Sequence, residues 1–376
     1  MSDHGYRSWV EVSRQQIADN YRALKQAAGD AVEVMPVVKA DAYRHGAVEV
    51  SRVLEREGVR WLAVSSVEEG CSLRAAGIAS RILVMADFLP AERKELLAHG
   101  LTPVIHSLDD LPALDELARE HGAPVPFHLK IDSGMGRLGT RAEPEAICAA
   151  VGGLRHARLE GIMTHFASSA DYSSPQTDEQ SRRFRFVCEC LASNGVNPAY
   201  VHLSSTIPLA YGRRETWGNL IRPGHAIYGY VSPARGEAPE RILTVKPALT
   251  WKAAILTLKD IPAGAYIGYG GMYRAPKPLR IAVLAAGYAD GIPHRLSNRG
   301  RVIAAGRLVP IVGAVSMDVT TIDVTHCPHL RPGDAVTLLG AEGDVSIDAQ
   351  QIARTAGTIS YSVLCGISAR VKRIYV

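Results

Sequence analysis

The sequence predicts an α/β protein, a (β/α)8 TIM-like barrel followed by a mostly β C-terminal domain. Three observations carry this. From about Val32 to Tyr230, short β-branched runs alternate with longer segments of helical periodicity, the signature of a parallel sheet wrapped by helices. Beyond about Arg241 that rhythm gives way to alternating apolar and polar runs split by Gly, Pro and Asp turns. A chain of 376 residues also exceeds the usual size of one domain, roughly 100–200 residues.

The barrel strands are expected at Val32–Ala40, Trp61–Ser65, Arg81–Ala86, Thr102–His106, Val125–Asp132, Leu159–His165, Ala199–Ser204 and Leu220–Tyr228. Amphipathic stretches lie between them at Val48–Glu57, Glu68–Ala76, Ala91–His99, Leu108–Glu120 and Gln180–Asn194, several ending in Gly as helices tend to. Eight such strands close a barrel. An open dinucleotide-binding sheet would want a Gly-rich turn after the first strand, and the chain there reads Lys39-Ala40-Asp41-Ala42-Tyr43. In the second half, Leu249–Leu258, Leu279–Ala285 and Ala335–Leu339 read as strands. The expected division is a barrel over 10–240 and a β-rich domain over 241–376, joined by an N-terminal strand in about 1–10.

Composition narrows the function. Hydrophobic residues make up 47% and the formal charge is only +4, with basic residues scattered, which argues against nucleic acid as the partner. Residues 1–12 lack the apolar core of a secretion signal, and no run of about 18 apolar residues could span a bilayer, so a soluble, cytoplasmic protein is expected. The six cysteines form no CxxC pair, and Cys188 and Cys190 point to different sides of a helix; all are expected to be reduced packing residues. No HxH or HExxH spacing occurs among the 13 histidines where strands end, so no metal is expected.

Active sites of such barrels lie at the C-terminal strand ends. Strand one ends by delivering Lys39 to the mouth. A lysine desolvated there loses pKa and becomes a nucleophile able to form a Schiff base; position alone leaves a snorkelling surface lysine equally open. The surrounding residues decide between the two. Val37-Val38-Lys39-Ala40-Asp41-Ala42-Tyr43-Arg44-His45-Gly46 resembles the pyridoxal 5′-phosphate (PLP) lysine signature of the alanine racemase family. Further segments similar to that family follow in order along nearly the whole chain: Lys130 to Gly139 (KIDSGMGRLG), Thr164 to Ala167 (THFA), Arg222-Pro223-Gly224, Gly268-Tyr269-Gly270, Gly287 to Gly291 (GYADG), Ser316-Met317-Asp318 and Ile359-Ser360-Tyr361.

The resemblance implies that Lys39 holds PLP covalently and serves as one catalytic base, with Tyr269 as the other on the opposite face. Racemisation needs two such bases, one to remove the α-proton and one to return a proton. A phenol is a weak base at its usual pKa of about 10, so it needs nearby positive charge or hydrogen bonding. Arg222 would contact the pyridine nitrogen, with His165 in the same network. A guanidinium only donates, which leaves that nitrogen unprotonated and PLP a weaker electron sink than an acidic partner would. Tyr43, Ser205, Thr206, Gly224 and Tyr361 match cofactor-binding positions, mainly around the phosphate. Arg137, Met317 and Asp318 match substrate-side positions. Lys130, a second cation near Arg137, matches a lysine that CO₂ can carbamylate in relatives. The family further implies a small amino acid substrate, a homodimer placing Tyr269, Met317 and Asp318 in trans, and a role in supplying D-alanine for peptidoglycan.

Two departures bear on substrate range. His202-Leu203-Ser204-Ser205-Thr206-Ile207-Pro208 replaces the family's Ala-Asn-Ser-Ala stretch, and Gly313-Ala314 stands where Gly-Arg is usual. Serine or a broader range of amino acids is therefore the first alternative to alanine. A PLP-dependent decarboxylase pairs the ring nitrogen with an acid, which Arg222 disfavours. A barrel-only protein that merely holds PLP is disfavoured by the β domain and Tyr269.

Overall fold

In the computed structural model, which describes residues 5–86 and 89–376, the chain divides into two units. One comprises Gln16–Ala42 and Ala47–Lys246; the other takes the chain up to Gln15, Tyr43–Gly46 and Pro247–Val376.

The first strand, β1 (Ser8–Val12), belongs to the second unit, and residues 1–4 of the expected N-terminal strand lie outside the described residues. The first unit is the barrel. Its strands are β2 (Glu33–Val34), β3 (Trp61–Val64), β4 (Arg81–Val84), β5 (Thr102–Ile105), β6 (Val125–Lys130), β7 (Ala157–Met163), β8 (Tyr200–His202) and β9 (Leu220–Ile221). Strands β3 to β8 form one parallel sheet in chain order, and β2 pairs with β9. The ring closes on both sides of that pair: Val38 N–H donates to Ala63 C=O at 2.8 Å, and Arg222 N–H to Ser204 C=O at 3.0 Å. All four residues of β3 are buried, as expected for a strand covered on both faces, so its sequence is a continuous apolar run rather than an alternation.

Helices follow the strands. Those at Ala47–Arg56, Val67–Ala75, Leu111–His121 and Gln176–Ser193 fall close to their expected places. The eighth strand is shorter than expected. Pro223 cannot donate to a ladder, and from His225 to Tyr228 the chain turns into a 3₁₀ helix.

The second unit is built on a nine-stranded sheet. Its long strand β10 (Leu249–Ile261) buries Leu249, Trp251, Ala253 and Ile255 in strict alternation. One neighbour of β10 is β1, antiparallel; on its far side β1 pairs in parallel with the strand Lys372–Tyr375. Two helices also occur, Ala349–Ala356 and Ser360–Gly366, which the expectation of little helix in this half did not include. The first has a reciprocal cap between Asp348 and Gln351 and a left-handed Gly357 after its end.

Candidate active site at the barrel mouth

Lys39 sits where β2 has left its partner and the chain must leave the barrel. It does so in an unusual way: Ala40, Asp41 and Ala42 have φ/ψ near 53°/48°, and Tyr43 and Arg44 follow at φ 51° and 66°. Five consecutive non-glycine residues are left-handed, a conformation costing about 1–2 kcal/mol each. Hydrogen bonds hold the turn. Glu69 accepts from Ala40 N–H and, with its other oxygen, from Ser65 N–H, both at 2.7 Å, tying the turn to the end of β3. Asp41 accepts from Ala47 N–H at 2.8 Å, and Ala42 N–H donates to Val38 C=O at 2.9 Å. Lys39 is half-buried at this fixed point.

Facing it is an excess of positive charge. Lys130 ends β6, buried, and desolvation first, then Arg222 and Arg137, bring its amine down to about 8. His165 is held near 3 by desolvation and by the same cations together with Lys39, so it is neutral. Arg137 is exposed on the loop after β6. Asp132, the nearest acid in that loop, is already committed: it accepts from the amides of Gly134, Met135 and Gly136 and from Arg141 Nε. Burial pushes its carboxyl up, but these donors, Gly136 foremost, win and hold it near 2. Gly139 permits the loop to fold back on the strand, since a Cβ there would lie 2.8 Å from Asp132 N at a φ of +112°.

Arg222 is fully buried behind these groups. One terminal nitrogen donates to His202 Nδ1 at 2.8 Å and His202 C=O at 2.9 Å; the other donates to Thr164 C=O at 2.7 Å and Leu203 C=O at 3.2 Å. The four terminal N–H groups are thereby used, leaving Nε–H as the donor for a ligand. Burial lowers the guanidinium to about 9, which leaves it charged at neutral pH. Because an arginine only donates, His202 Nδ1 must accept. Its Nε2 therefore carries the hydrogen and donates to His128 Nδ1, 2.8 Å away. His128 in turn points an N–H toward Glu160, 3.7 Å off, too long for a hydrogen bond but close enough for the charge to act. Gly161 stands beside His128 on β7, and a Cβ there would meet its ring at 2.6 Å.

Ser205 occupies the N-cap position of the helix Thr206–Ala210 without a side-chain capping bond, and Thr206 Oγ1 accepts from Ala226 N–H at 3.3 Å, joining that helix to the 3₁₀ turn after Gly224. Hydroxyl and amide donors meet here, the chemistry that a phosphate needs.

The remaining expected site residues belong to the second unit. Tyr43 is buried with its ring 5.9 Å from that of Tyr361; desolvation, then Tyr361 and Cys365, push its hydroxyl up, so it remains a donor. Tyr269 is 76% exposed and Met317 53%. Tyr269 stands between Gly268 (φ +76°) and Gly270 (φ +67°), on a turn that rests against the backbone of Ala314. The Asp318 carboxylate is paired with Arg370 at 2.8 Å, and Ala314 is buried.

The site thus offers an amine, an excess of positive charge, phosphate donors and one unspent guanidinium N–H. PLP, which carries an aldehyde, a phosphate, a phenolic oxygen and a ring nitrogen, fits that set, and the fold and site define a barrel enzyme that binds PLP. Family models bear on the particular case: the alanine racemase N-terminal domain matches residues 12–233 and the C-terminal domain residues 248–375. The chain is 38% identical to the alanine racemase of Halothermothrix orenii, over 98% of this chain and 96% of that one. It resembles the alanine racemase of Bacillus anthracis solved with bound L-Ala-P (TM-score 0.89, 31% identity, 100% and 96% covered). It also resembles that of Bartonella henselae with covalently bound pyridoxal phosphate (TM-score 0.87, 27% identity, 99% and 100% covered). The chain belongs to the alanine racemase family.

The sequence singles out Lys39, Lys130, Arg137, His165 and Arg222, and the barrel brings Lys39, Arg137 and Arg222 within electrostatic reach of both Lys130 and His165. It passed over Glu69, Asp132, His128 and His202 as working residues. Glu69 had a signal, the Ser66-x-x-Glu69 capping pattern, although its carboxylate serves the neighbouring turn. The histidines had none, because their pairing spans 74 residues.

Proposed function

We propose that this protein interconverts L- and D-alanine with PLP bound through Lys39, using Lys39 and Tyr269 as the two bases. The observation that carries this is Arg222: a guanidinium pinned by four acceptors, with Nε–H left over and no carboxylate in its place. Bound PLP withdraws electrons from the substrate amine and so acidifies the α-proton. The chain's own part is to hold and to move protons. Lys39 stands on one side of the α-carbon; Tyr269, exposed within its own chain, is positioned from a second copy on the other, and each takes the proton in one direction and supplies it in the other. Arg222 keeps the ring nitrogen unprotonated, limiting electron withdrawal to what proton exchange needs. Thr206, Ser205, the amides near Gly224, Tyr43 and Tyr361 bind the phosphate, while Arg137 holds the substrate carboxylate, with Met317 and Asp318 lining the substrate side. A homodimer with shared sites, a cytoplasmic location and a role in D-alanine supply for peptidoglycan belong to this reading. Among the described residues no helix is long and apolar enough to cross a membrane, which accords with it.

The buried, uncharged Ala314 behind the Tyr269 turn favours one second reading, a pocket that also admits serine or larger amino acids. The PLP-loaded protein is incubated separately with L-alanine, L-serine, L-lysine and L-arginine, and the D-product is quantified by chiral chromatography. Dominant D-alanine supports the first reading, dominance of another product the second, and no D-product refutes both.

A further inference from the structure

Among the described residues, one group of His, Cys, Asp or Glu side chains converges closely enough to chelate a single ion: Cys71, Glu95 and His99, whose ligand atoms all lie within 4.8 Å of one another. It lies on the barrel, apart from the residues of the mouth described above. Cys71 belongs to the helix Val67–Ala75; Glu95 lies in the helix Arg93–Ala98, and His99 caps that helix. Glu95 and His99 are four apart, so they share one face of their helix, and Cys71 completes the set from the other helix.

The backbone beneath this cluster is held in place. A Cβ on Gly70 would lie 2.7 Å from Leu101 Cδ1, so the absence of a side chain there lets the first helix lie directly on the segment leaving the second. Arg74, one turn beyond Gly70, donates to His99 C=O at 3.0 Å and to Ile78 and Ser80 C=O at 2.6 and 2.7 Å. His99 is thereby fixed by its own carbonyl against the helix that carries Cys71. Two of the three side chains are half-buried and Glu95 is exposed.

We propose that Cys71, Glu95 and His99 form a binding site for a divalent transition metal of the zinc type. Sulfur, imidazole nitrogen and carboxylate oxygen together match the ligands zinc takes at about 2.0–2.3 Å, which puts neighbouring ligand atoms about 3.5 Å apart in a tetrahedron. At up to 4.8 Å apart, the three ligand atoms stand at most about 1.3 Å wider than that separation, and metal binding would draw them in. Mg²⁺ and Ca²⁺, which take oxygen ligands, are excluded by the donor set. Three protein ligands leave a fourth position for water. Bound metal would pin the two helices together, and the helix Val67–Ala75 also carries Glu69, which clamps the turn after Lys39.

The test uses the untagged, PLP-loaded protein after treatment with a chelator. Zn²⁺ is titrated against a chromophoric competitor, and Co²⁺ is used as a spectroscopic probe. The expected result is one Zn²⁺ per chain with a Kd of about 1 μM or tighter. Co²⁺ should show the intense visible bands of a four-coordinate ion and a thiolate charge-transfer band. Cys71→Ser should abolish the charge-transfer band and weaken Zn²⁺ at least about tenfold, and His99→Gln should weaken it similarly. Zn²⁺ should raise the unfolding midpoint of the wild type and not that of Cys71→Ser. Glu95→Gln, at an exposed position, serves as a further ligand variant should either of the others fold poorly. Equal Zn²⁺ affinity in the wild type and all three variants, or no uptake by the wild type at roughly a hundred times that Kd, would overturn the proposal.

Discussion

Carbamylation of Lys130 can be worked from its surroundings. CO₂ reacts only with a neutral amine. With a pKa of about 8, close to a tenth of Lys130 is neutral at pH 7, whereas an ordinary lysine near 10.5 is neutral about three hundred times less often. The product reverses the charge, placing an anion beside Arg222 and Arg137, so the cations that, after desolvation, lower the amine would attract the carbamate. The perturbation is addition of ¹³C-bicarbonate at about pH 8, where half the amine is available. The readout is a single slow-exchanging carbamate resonance, together with the added mass of one CO₂ in a native spectrum. Lys130→Met should lose both and raise the KM for alanine by about tenfold, since Arg137 loses its anchor. Absence of the resonance in the wild type, or its persistence in Lys130→Met, would refute this account.

Other consequences are as direct. His128 and His202 are wholly buried and their pKa values are lowered by desolvation. Below about pH 6.5 the unfolded chain takes up protons that the fold refuses, so stability should fall by up to about 1.4 kcal/mol per pH unit for each. Denaturant midpoints that stay flat between about pH 6.5 and 5 would contradict their burial as neutral rings. Arg222→Lys keeps a charge but cannot form the fork, and should cut kcat/KM at least about a hundredfold while PLP absorbance persists; near-wild-type activity would remove Arg222 from its role. Tyr269→Phe should abolish exchange of the α-proton of one alanine enantiomer with deuterated solvent far more than of the other, and equal losses would argue against two bases on opposite faces. Ala40→Gly relieves a left-handed alanine but loosens the unfolded chain, for a net stabilisation of about 0.5–1 kcal/mol in urea melts; a destabilised variant would count against the left-handed turn.

Much of the fold was legible because its signals are local. Trp61–Val64 and Ile82–Val84 could be read from unbroken apolar runs, and β10 from its alternation. Lys39 could be placed because a strand end is a position in the sequence as well as in space. What could not be read depends on partners far along the chain. Nothing in Ala40-Asp41-Ala42 announces a left-handed path, since the two alanines disfavour it and the bonds made by Glu69 and Asp41 help to enforce it. The Arg222–His202–His128 line likewise arises from three strands meeting inside a ring. The helix Ala349–Ala356 was a missed local signal, for Asp348 and Gln351 have the spacing of a reciprocal cap and Gly357 marks the stop.

The place of β1 has a consequence for how the molecule is made. Residues 8–12 pair with Leu249–Ala253 on one edge and with Lys372–Tyr375 on the other. On a ribosome moving at 5–20 residues per second, β1 waits roughly 20 to 70 s before both neighbours have been synthesised. The barrel can close meanwhile, while an apolar strand bearing Trp9, Val10 and Val12 has both edges open. A substitution in β1 should therefore spare the barrel and injure the C-terminal sheet, and it should show first as aggregation during synthesis, relieved by chaperones that cover strand edges, rather than as a slower enzyme.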